Sequence, residues 1–360
     1  MSDALELREP VGAFAQVEEW LRARGFFAPG GERLVADVYL GYGLSDTIRR
    51  VRGDDRTRPP EPCPALPLAA CRLAREPLVT DRHKTALTIG EWKRTWTSAE
   101  YVAAVDEIRA AIARGDVYQV NLVQHLHAPF DGDPHALAAR LAGLRPVHPT
   151  PFVGDCWAVV SASPEVFLSR RDRRIRTLPI KGTRPRGAAL ELQGSEKDAA
   201  EHVMIVDLER NDLSRVCEAG SVRWPELMAT RELAGVEHMV STVEGTLRAE
   251  VGLEEILDAT FPGGSVTGAP KIAAVDLIAE LEPVGRGAAM GALGRVYGNG
   301  DFDLALTIRT FAIADGVIHL WVGGGIVWDS DADAEVAESW VKAGPLLDAI
   351  GSRLPEAVTA

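Results

Sequence analysis

The chain has 360 residues, 46% of them hydrophobic and 25% charged, and a formal net charge of −13. This is the balance of a globular protein of one large or two ordinary domains, and its acidity argues against a nucleic-acid binder, which needs a basic face for phosphates. The four cysteines (Cys63, Cys71, Cys156, Cys217) form no CxxC pair, the N-terminus has no signal-like apolar core, and no uncharged apolar run nears the ~20 residues of a membrane helix, so the expected location is the reducing cytoplasm.

Along the chain, Val17, Trp20 and Leu21 mark a short amphipathic helix, and residues 34–42 read as a strand. Pro59, Pro60, Pro62, Pro64 and Pro67 can propagate neither a helix nor a central strand, so this stretch reads as a connector. The organisation expected is an N-terminal segment over 1–90, connector included and integrated into the fold, followed by a catalytic domain over 91–352. Thr97 and Glu100 have capping-box spacing, Tyr101, Val105, Ile108 and Ile112 share one helix face, and Gly115 ends it. Residues 117–126 alternate as a strand. Further strands are expected at 157–168, 175–180, 222–230, 239–247, 304–313 and 317–327, with Asp315-Gly316 as a hairpin turn between the last two. Helical patterns fall at 196–216, 252–259, 270–281 and 330–350. Strands grouped antiparallel with helices between the groups predict an α+β fold rather than a doubly wound sheet.

Lys181 follows the apolar Leu178-Pro179-Ile180 and precedes a Gly-Thr turn. Its amine reads either as a solvated strand end or as a partly desolvated nucleophile. Asp198 and Glu201 stand at i and i+3 of one predicted helix, and Glu335 and Glu338 repeat that spacing on another, with Lys342 along the same face. Such a pair is either a solvated acidic surface or half of an oxygen site for a hard divalent cation. With no His/Cys cluster in the chain, magnesium fits better than zinc. The last helix opens with Ser330 and Asp333 in capping-box spacing. The string Pro262-Gly263-Gly264-Ser265-Val266-Thr267-Gly268-Ala269-Pro270-Lys271 lacks the Gly-Lys-Ser/Thr ending of a phosphate loop. It reads as a flexible loop feeding a helix, whose backbone N–H groups could face an anion.

Four strings together identify a resemblance: 179–187 (Pro-Ile-Lys-Gly-Thr-Arg-Pro-Arg-Gly), 201–213 (Glu-His-Val-Met-Ile-Val-Asp-Leu-Glu-Arg-Asn-Asp-Leu), 264–271 (Gly-Ser-Val-Thr-Gly-Ala-Pro-Lys), and Gly323-Gly324-Gly325-Ile326-Val327 with Glu335 and Glu338. The chain is similar, over about 92–350, to the chorismate-utilising enzymes. The resemblance implies two large antiparallel sheets packed face to face with helices outside, and Mg²⁺ as cofactor. By position, Glu201 and Glu338 match metal ligands, with Asp198 and Glu335 in support. Arg309 matches the arginine gripping the enolpyruvyl carboxylate, beside the backbone of Gly324 and Gly325. Glu165 matches the general acid that protonates the departing ring hydroxyl. His238 and Thr267 resemble ring-side contacts, and a buried structural His238 is the alternative.

Two positions bear on which reaction the resemblance implies. Members that add water carry a lysine base where this chain has Gln119, an amide that cannot deprotonate water. Lys181 is the residue of the aminodeoxychorismate-forming branch, and it implies attack at C2, loss of the C4 hydroxyl and entry of ammonia at C4, on the route to 4-aminobenzoate and folate. The alternatives are C2 amination, as in anthranilate or aminodeoxyisochorismate synthesis, and a non-catalytic chorismate-binding subunit. The chain has no cysteine in a Gly-x-Cys-x-Gly setting, so ammonia is expected from a separate glutamine amidotransferase subunit; neither nucleic acid nor membrane is an expected partner. It departs from the family in having Ala289 within Arg286-Gly287-Ala288-Ala289-Met290-Gly291, where a tyrosine is usual, and in lacking the Leu-Leu-Glu-Ser string of tryptophan feedback.

Overall fold

The computed structural model describes residues 3–50, 58–74, 86–185, 187, 189–233 and 236–353. Among these, every strand pair is antiparallel, and the strands form one ten-stranded and one eight-stranded sheet. In order, the larger sheet runs Ala4–Leu7, Ala69–Leu73, Val35–Leu40, Ala292–Tyr297, Phe302–Leu306, Val166–Arg171, Arg174–Leu178 and Val236–Thr246, with Ile180–Pro185 and Arg223–Leu233 also on Val236–Thr246. The smaller runs Gly268–Ala269, Gln119–Asp131, Val317–Ile326, Thr310–Ala314, Trp157–Ser161 and Phe152–Val153, with Thr88–Ile89 and Lys93–Arg94 on Gln119–Asp131. One apolar core, including Val38, Leu40, Leu168 and Leu293 from the first sheet and Val120, Leu122, Val159 and Trp321 from the second, fills the space between them. A second core holds the helices Pro134–Leu141 and Ala332–Ile350 against the other face of the smaller sheet. The architecture is the expected α+β pair of antiparallel sheets flanked by helices.

Local sequence accounts for much of this. Thr97 accepts from the backbone N–H of Glu100 and Glu100 returns the bond to Thr97, so the helix Ser98–Arg114 starts where its capping box lies; Gly115, at φ 82°, ends it. Asp315 and Gly316 both have positive φ (52° and 74°), the geometry of a two-residue hairpin turn. The last helix differs from expectation: Asp331, not Ser330, caps it by accepting from Ala334 N at 2.9 Å. The helix is Ala332–Ile350, and the Ser330 hydroxyl donates instead to Glu335 Oε1 at 2.6 Å.

The run expected at 175–180 breaks at Pro179 into Arg174–Leu178 and Ile180–Pro185 within one sheet, and two other runs each divide between the two sheets. Residues 157–168 become Trp157–Ser161 in the smaller sheet and Val166–Arg171 in the larger. Residues 304–313 become Phe302–Leu306 in the larger and Thr310–Ala314 in the smaller. Pro164 has no N–H for a ladder, and Arg309 sits at φ 51°, so neither break can carry a continuous strand. Alternation of apolar residues does not register a change of sheet, because both halves face a core.

The glycine-rich string 262–271 is also not a loose loop. All of Gly263–Ala269 is buried, and Gly268–Ala269 pairs with Gln119–Val120. Gly268 (φ 145°) lies so close to this strand that a Cβ there would meet Gln119 O at 2.1 Å. The described part of the proline-rich connector walls a cavity of about 480 Å³ against Tyr42 and Gly285–Gly287.

Candidate active site

Glu165 follows the first sheet crossing and Arg309 lies in the second, and the crossings are tied together: Leu306 N donates to Glu165 O and Ala162 N to Arg309 O, both at 3.0 Å. Glu165 is 4% exposed. Its Oε1 accepts from Ser265 Oγ at 2.8 Å. Burial pushes the carboxyl up to about 7, against the opposing pull of Ser265, Lys181, the Ile180 backbone N–H and Arg309. A carboxyl poised near neutrality beside two cations suits a general acid. Burial in turn draws the Arg309 guanidinium below its usual range.

Lys181 is half-buried on Ile180–Pro185, opposite Met239, and an irregularity in that ladder follows it. Across from it runs the glycine stretch of Val317–Ile326. A Cβ on Gly325 would lie 2.1 Å from Gln119 Nε2 and 3.4 Å from Lys181 Nζ, so the missing side chain leaves the space where amide and amine meet. Gln119 is fully buried, and neither end of its amide has a hydrogen-bond partner among the described residues. Such an orphan calls for a ligand or water.

Gly182 joins further groups to the lysine. At φ 64° it faces the Asp198 carboxyl, whose Cγ would be 3.5 Å from a Cβ there. Its carbonyl lies 2.9 Å from His238 Nδ1. A carbonyl can only accept, so Nδ1 carries the hydrogen, and burial lowers the imidazole to about 4 and keeps it neutral.

One residue along the glycine stretch, a Cβ on Gly324 would meet Lys342 Nζ at 3.1 Å, Glu335 Oε2 at 3.4 Å and Glu338 Oε1 at 3.5 Å. Lys342 reaches Glu338 Oε1 at 2.7 Å and donates to Gly323 O at 2.9 Å. Glu335 is buried and held by Ser330, whereas the Glu338 side chain is 55% exposed. Asp198 and Glu201 lie a turn apart on the helix Glu196–Ser214, Glu201 half-buried. Among the described residues, no three carboxylates, histidines or cysteines close into a metal-holding group. The donor set is nonetheless all oxygen, and the Gly324 cradle presents two carboxylates. That fits a cation such as Mg²⁺, which takes one or two protein carboxylates and completes its shell with water and substrate oxygens.

The Thr267 hydroxyl donates to Gly263 O at 2.9 Å, so it braces the buried loop that presents Ser265 to Glu165.

Sequence reading missed three groups here. Ser265 stands in the string 264–271, where the resemblance gives it no role of its own. His202 is fully buried, its Nε2 2.6 Å from Ser241 Oγ. Glu209 is 7% exposed and takes a 2.8 Å bond from Thr177 Oγ1, and burial together with the Glu165 charge pushes it up to about 8. Helical spacing carried the signal, since Asp198, His202, Glu209 and Asp212 fall on one stripe of the helix.

The family model for chorismate binding enzymes matches residues 54–348. Aminodeoxychorismate synthase component 1 of Klebsiella aerogenes is 42% identical over 270 residues, covering 72% of this chain and 60% of that protein. Anthranilate synthase component 1 of Streptomyces coelicolor is 40% identical over 272 residues, covering 72% of this chain and 53% of that protein. The chain thus spans under two thirds of the length of these relatives. The crystal structure of anthranilate synthase component I from Streptococcus pneumoniae superposes with a TM-score of 0.77 at 27% identity, over 88% of this chain and 81% of that one. With two sheets joined at Glu165 and Arg309 and matches of this extent, the chain belongs to the chorismate binding enzyme family.

Proposed function

We propose that the chain is the chorismate-aminating component of an aminodeoxychorismate synthase, forming 4-amino-4-deoxychorismate from chorismate and ammonia. The observation that carries this reading is the meeting of the Lys181 amine and the Gln119 amide at Gly325, with the buried acid Glu165 acting on the same lysine. In this mechanism the Lys181 amine, its proton first lost to solvent, attacks C2, the ring double bonds shift, and the C4 hydroxyl leaves as water with the proton of Glu165. Ammonia then bonds to C4, the double bonds shift back, and the C2–N bond to lysine breaks. The proton lost by the new C4 amine restores Glu165. The balance is chorismate plus ammonia to product plus water. Gln119 orients small polar groups here but cannot act as a base toward water.

Arg309 would hold the enolpyruvyl carboxylate by its planar fork, and the Gly324–Gly325 backbone allows close approach. Lys342 adds a cation at the Gly324 cradle. Glu201 and Glu338 would hold Mg²⁺, with Asp198 and Glu335 beside them. When bound, it would neutralise the ring carboxylate and hold the ring still. Ammonia would come from a separate glutamine amidotransferase, in keeping with the component 1 names of the relatives.

A second reading, anthranilate synthesis by amination at C2, is favoured by the 40% identity to anthranilate synthase component 1. Chromatography of products from chorismate, Mg²⁺ and ammonium separates the two. Product aminated at C4 supports the first reading, and anthranilate overturns it. Glutamine-dependent turnover by the purified chain alone would overturn the need for a partner.

A further inference from the structure

The proposed mechanism gives Lys181, Glu165 and Arg309 a task but assigns no group to hold ammonia. Asn121 stands directly opposite Gly325 in the ladder between Gln119–Asp131 and Val317–Ile326. Its backbone turns away from that neighbour: its N–H donates to Thr267 O at 2.7 Å, and its carbonyl accepts from Arg286 Nη2 at 2.6 Å. Asn121 and Gly325 are therefore a non-hydrogen-bonded pair, the closer kind, with Cα atoms about 4.5 Å apart and side-chain positions on one face. Gln119, two residues earlier, shares that face, and its Nε2 lies 2.1 Å from where a Gly325 Cβ would be. Asn121 is 7% exposed, and its Nδ2 has no hydrogen-bond partner among the described residues, like both ends of the Gln119 amide. Val123, next on this face, is apolar and buried. Burying two amides without partners is costly, and apolar side chains would fill the place without that cost. The pair instead walls a site for a small polar molecule beside Lys181, whose Nζ lies 3.4 Å from the same Cβ position.

We propose that Asn121 binds the nucleophile, its amide forming with that of Gln119 a seat that takes ammonia as the free base and rejects ammonium. The inference rests on the reading of the site as one that aminates chorismate. Free ammonia carries three N–H groups and a lone pair; ammonium carries four N–H groups and no lone pair. The Gln119 carbonyl oxygen can accept from either. The Asn121 Nδ2–H only donates, so it can face a nitrogen only where a lone pair remains. That lone pair is the one that bonds to C4, so the waiting molecule is already the reactive form and needs only to turn from Asn121 to the ring. A carboxylate in this place would do the reverse, because it would hold the cation and keep the lone pair occupied by a proton. Lys181 acts in the same sense as the amides, since a charged amine repels ammonium and a neutral one does not attract it.

The test measures amination of chorismate with ammonium salts over a range of pH, counting the nitrogen substrate as free ammonia. In Asn121→Ala the KM for ammonia should rise by up to about tenfold, the loss of one hydrogen bond between neutral partners, while the KM for chorismate stays within about twofold. Asn121→Asp keeps the shape and reverses the preference, so potassium ion should inhibit it in competition with ammonium and leave the wild type unaffected; it also keeps the test open if the alanine variant folds poorly. An ammonia KM unmoved in folded Asn121→Ala, or one that rises only in step with that for chorismate, overturns the proposal, as does indifference of Asn121→Asp to potassium. A readout without turnover separates the seat from the reaction. The side-chain amide NMR signal of Asn121, assigned by its loss in Asn121→Ala, should shift on addition of ammonium chloride at alkaline pH and not of potassium chloride. If chorismate is not aminated at C4 yet that signal shifts, the reading of the reaction fails and the seat stands; a signal that ammonium chloride leaves unmoved overturns the seat.

Discussion

Glu165 and Arg309 are bound to each other's crossings: the carbonyl of each accepts the backbone N–H of the residue three places before the other, Leu306 and Ala162 respectively, at 3.0 Å. Where the chain leaves one sheet for the other at these two places, neither crossing has a continuing ladder, and the two bonds hold them together. The acid and the arginine therefore owe their relative placement to two short crossings pinned to each other between strands of both sheets. Placement by packed strands gives a site the precision that catalysis needs.

The Gly325 contact gives a prediction that separates activity from folding. Gly325→Ala would put a Cβ 2.1 Å from the Gln119 amide, so the amide must swing away from the meeting point with Lys181. Overpacking against a buried group such as Gln119 costs about 1–3 kcal/mol, and here the yielding atom ends a side chain, which favours the low end. Thermal unfolding should show a small loss, while kcat/KM for chorismate falls by on the order of a hundredfold. A variant of near wild-type activity would remove Gln119 and Lys181 as a functional pair.

The elements whose ends carry their own chemistry were legible in the sequence. Thr97 and Glu100 set one helix start, and Asp315-Gly316 sets one hairpin. Ser330 misled because its hydroxyl serves Glu335 and Asp331 competes for the same cap. The crossings at Glu165 and Arg309 were illegible as crossings, since both halves of each run are apolar and both sheets face one core. Lys181, Glu165, Gln119 and the two glycines were found from string resemblance, and the structure brings them together. Glu209 was passed over because a glutamate in an acidic helix reads as surface until its neighbours are known.

Glu165 should also leave a mark on stability. Its folded value of about 7 lies above the roughly 4.3 of a free glutamate, so between those values the native state binds more protons than the unfolded chain. Stability contributed by this site therefore falls as pH rises from about 4.3 to 7, then levels, with a total cost of a few kcal/mol in order of magnitude. Glu165→Gln has no charge to bury. It should match the wild type near pH 4.5 and exceed it in denaturation midpoint at pH 8, while losing most activity at both. A variant less stable than wild type at pH 8 would contradict the buried-acid account.

The metal proposal makes the Gly324 cradle a place where charge is needed rather than merely tolerated. Glu338→Gln and Glu201→Gln should each raise the Mg²⁺ concentration for half-maximal activity at least about tenfold, the loss expected when a hard cation forfeits a carboxylate ligand. Melting temperature without Mg²⁺ should stay level or rise, because one of two neighbouring negative charges is gone. Full wild-type activity in EDTA would end this assignment.

Lys181 gives the most direct test of regiochemistry. If its amine occupies C2 during turnover, ammonia is barred from that carbon and directed to C4. Lys181→Ala should then lose most C4-aminated product and open C2 to ammonia, so any residual output shifts toward the C2-aminated compound. Lys181→Arg should not rescue, since a guanidinium with a pKa above about 12 keeps its proton and is no nucleophile. Both variants should fold, because Lys181 is only half-buried and Gln119, which borders the Gly325 space with it, is polar. A lysine serving only as a cation near Glu165 predicts a different pattern. Arginine would then preserve both rate and regiochemistry, and alanine would lower the rate through the acid, moving the pH profile because the lysine charge opposes the rise of the Glu165 pKa. Mass spectrometry for a chorismate-derived adduct on Lys181, together with chromatographic identification of the products of both variants, distinguishes the two; unchanged C4 amination in Lys181→Ala rules out the covalent route.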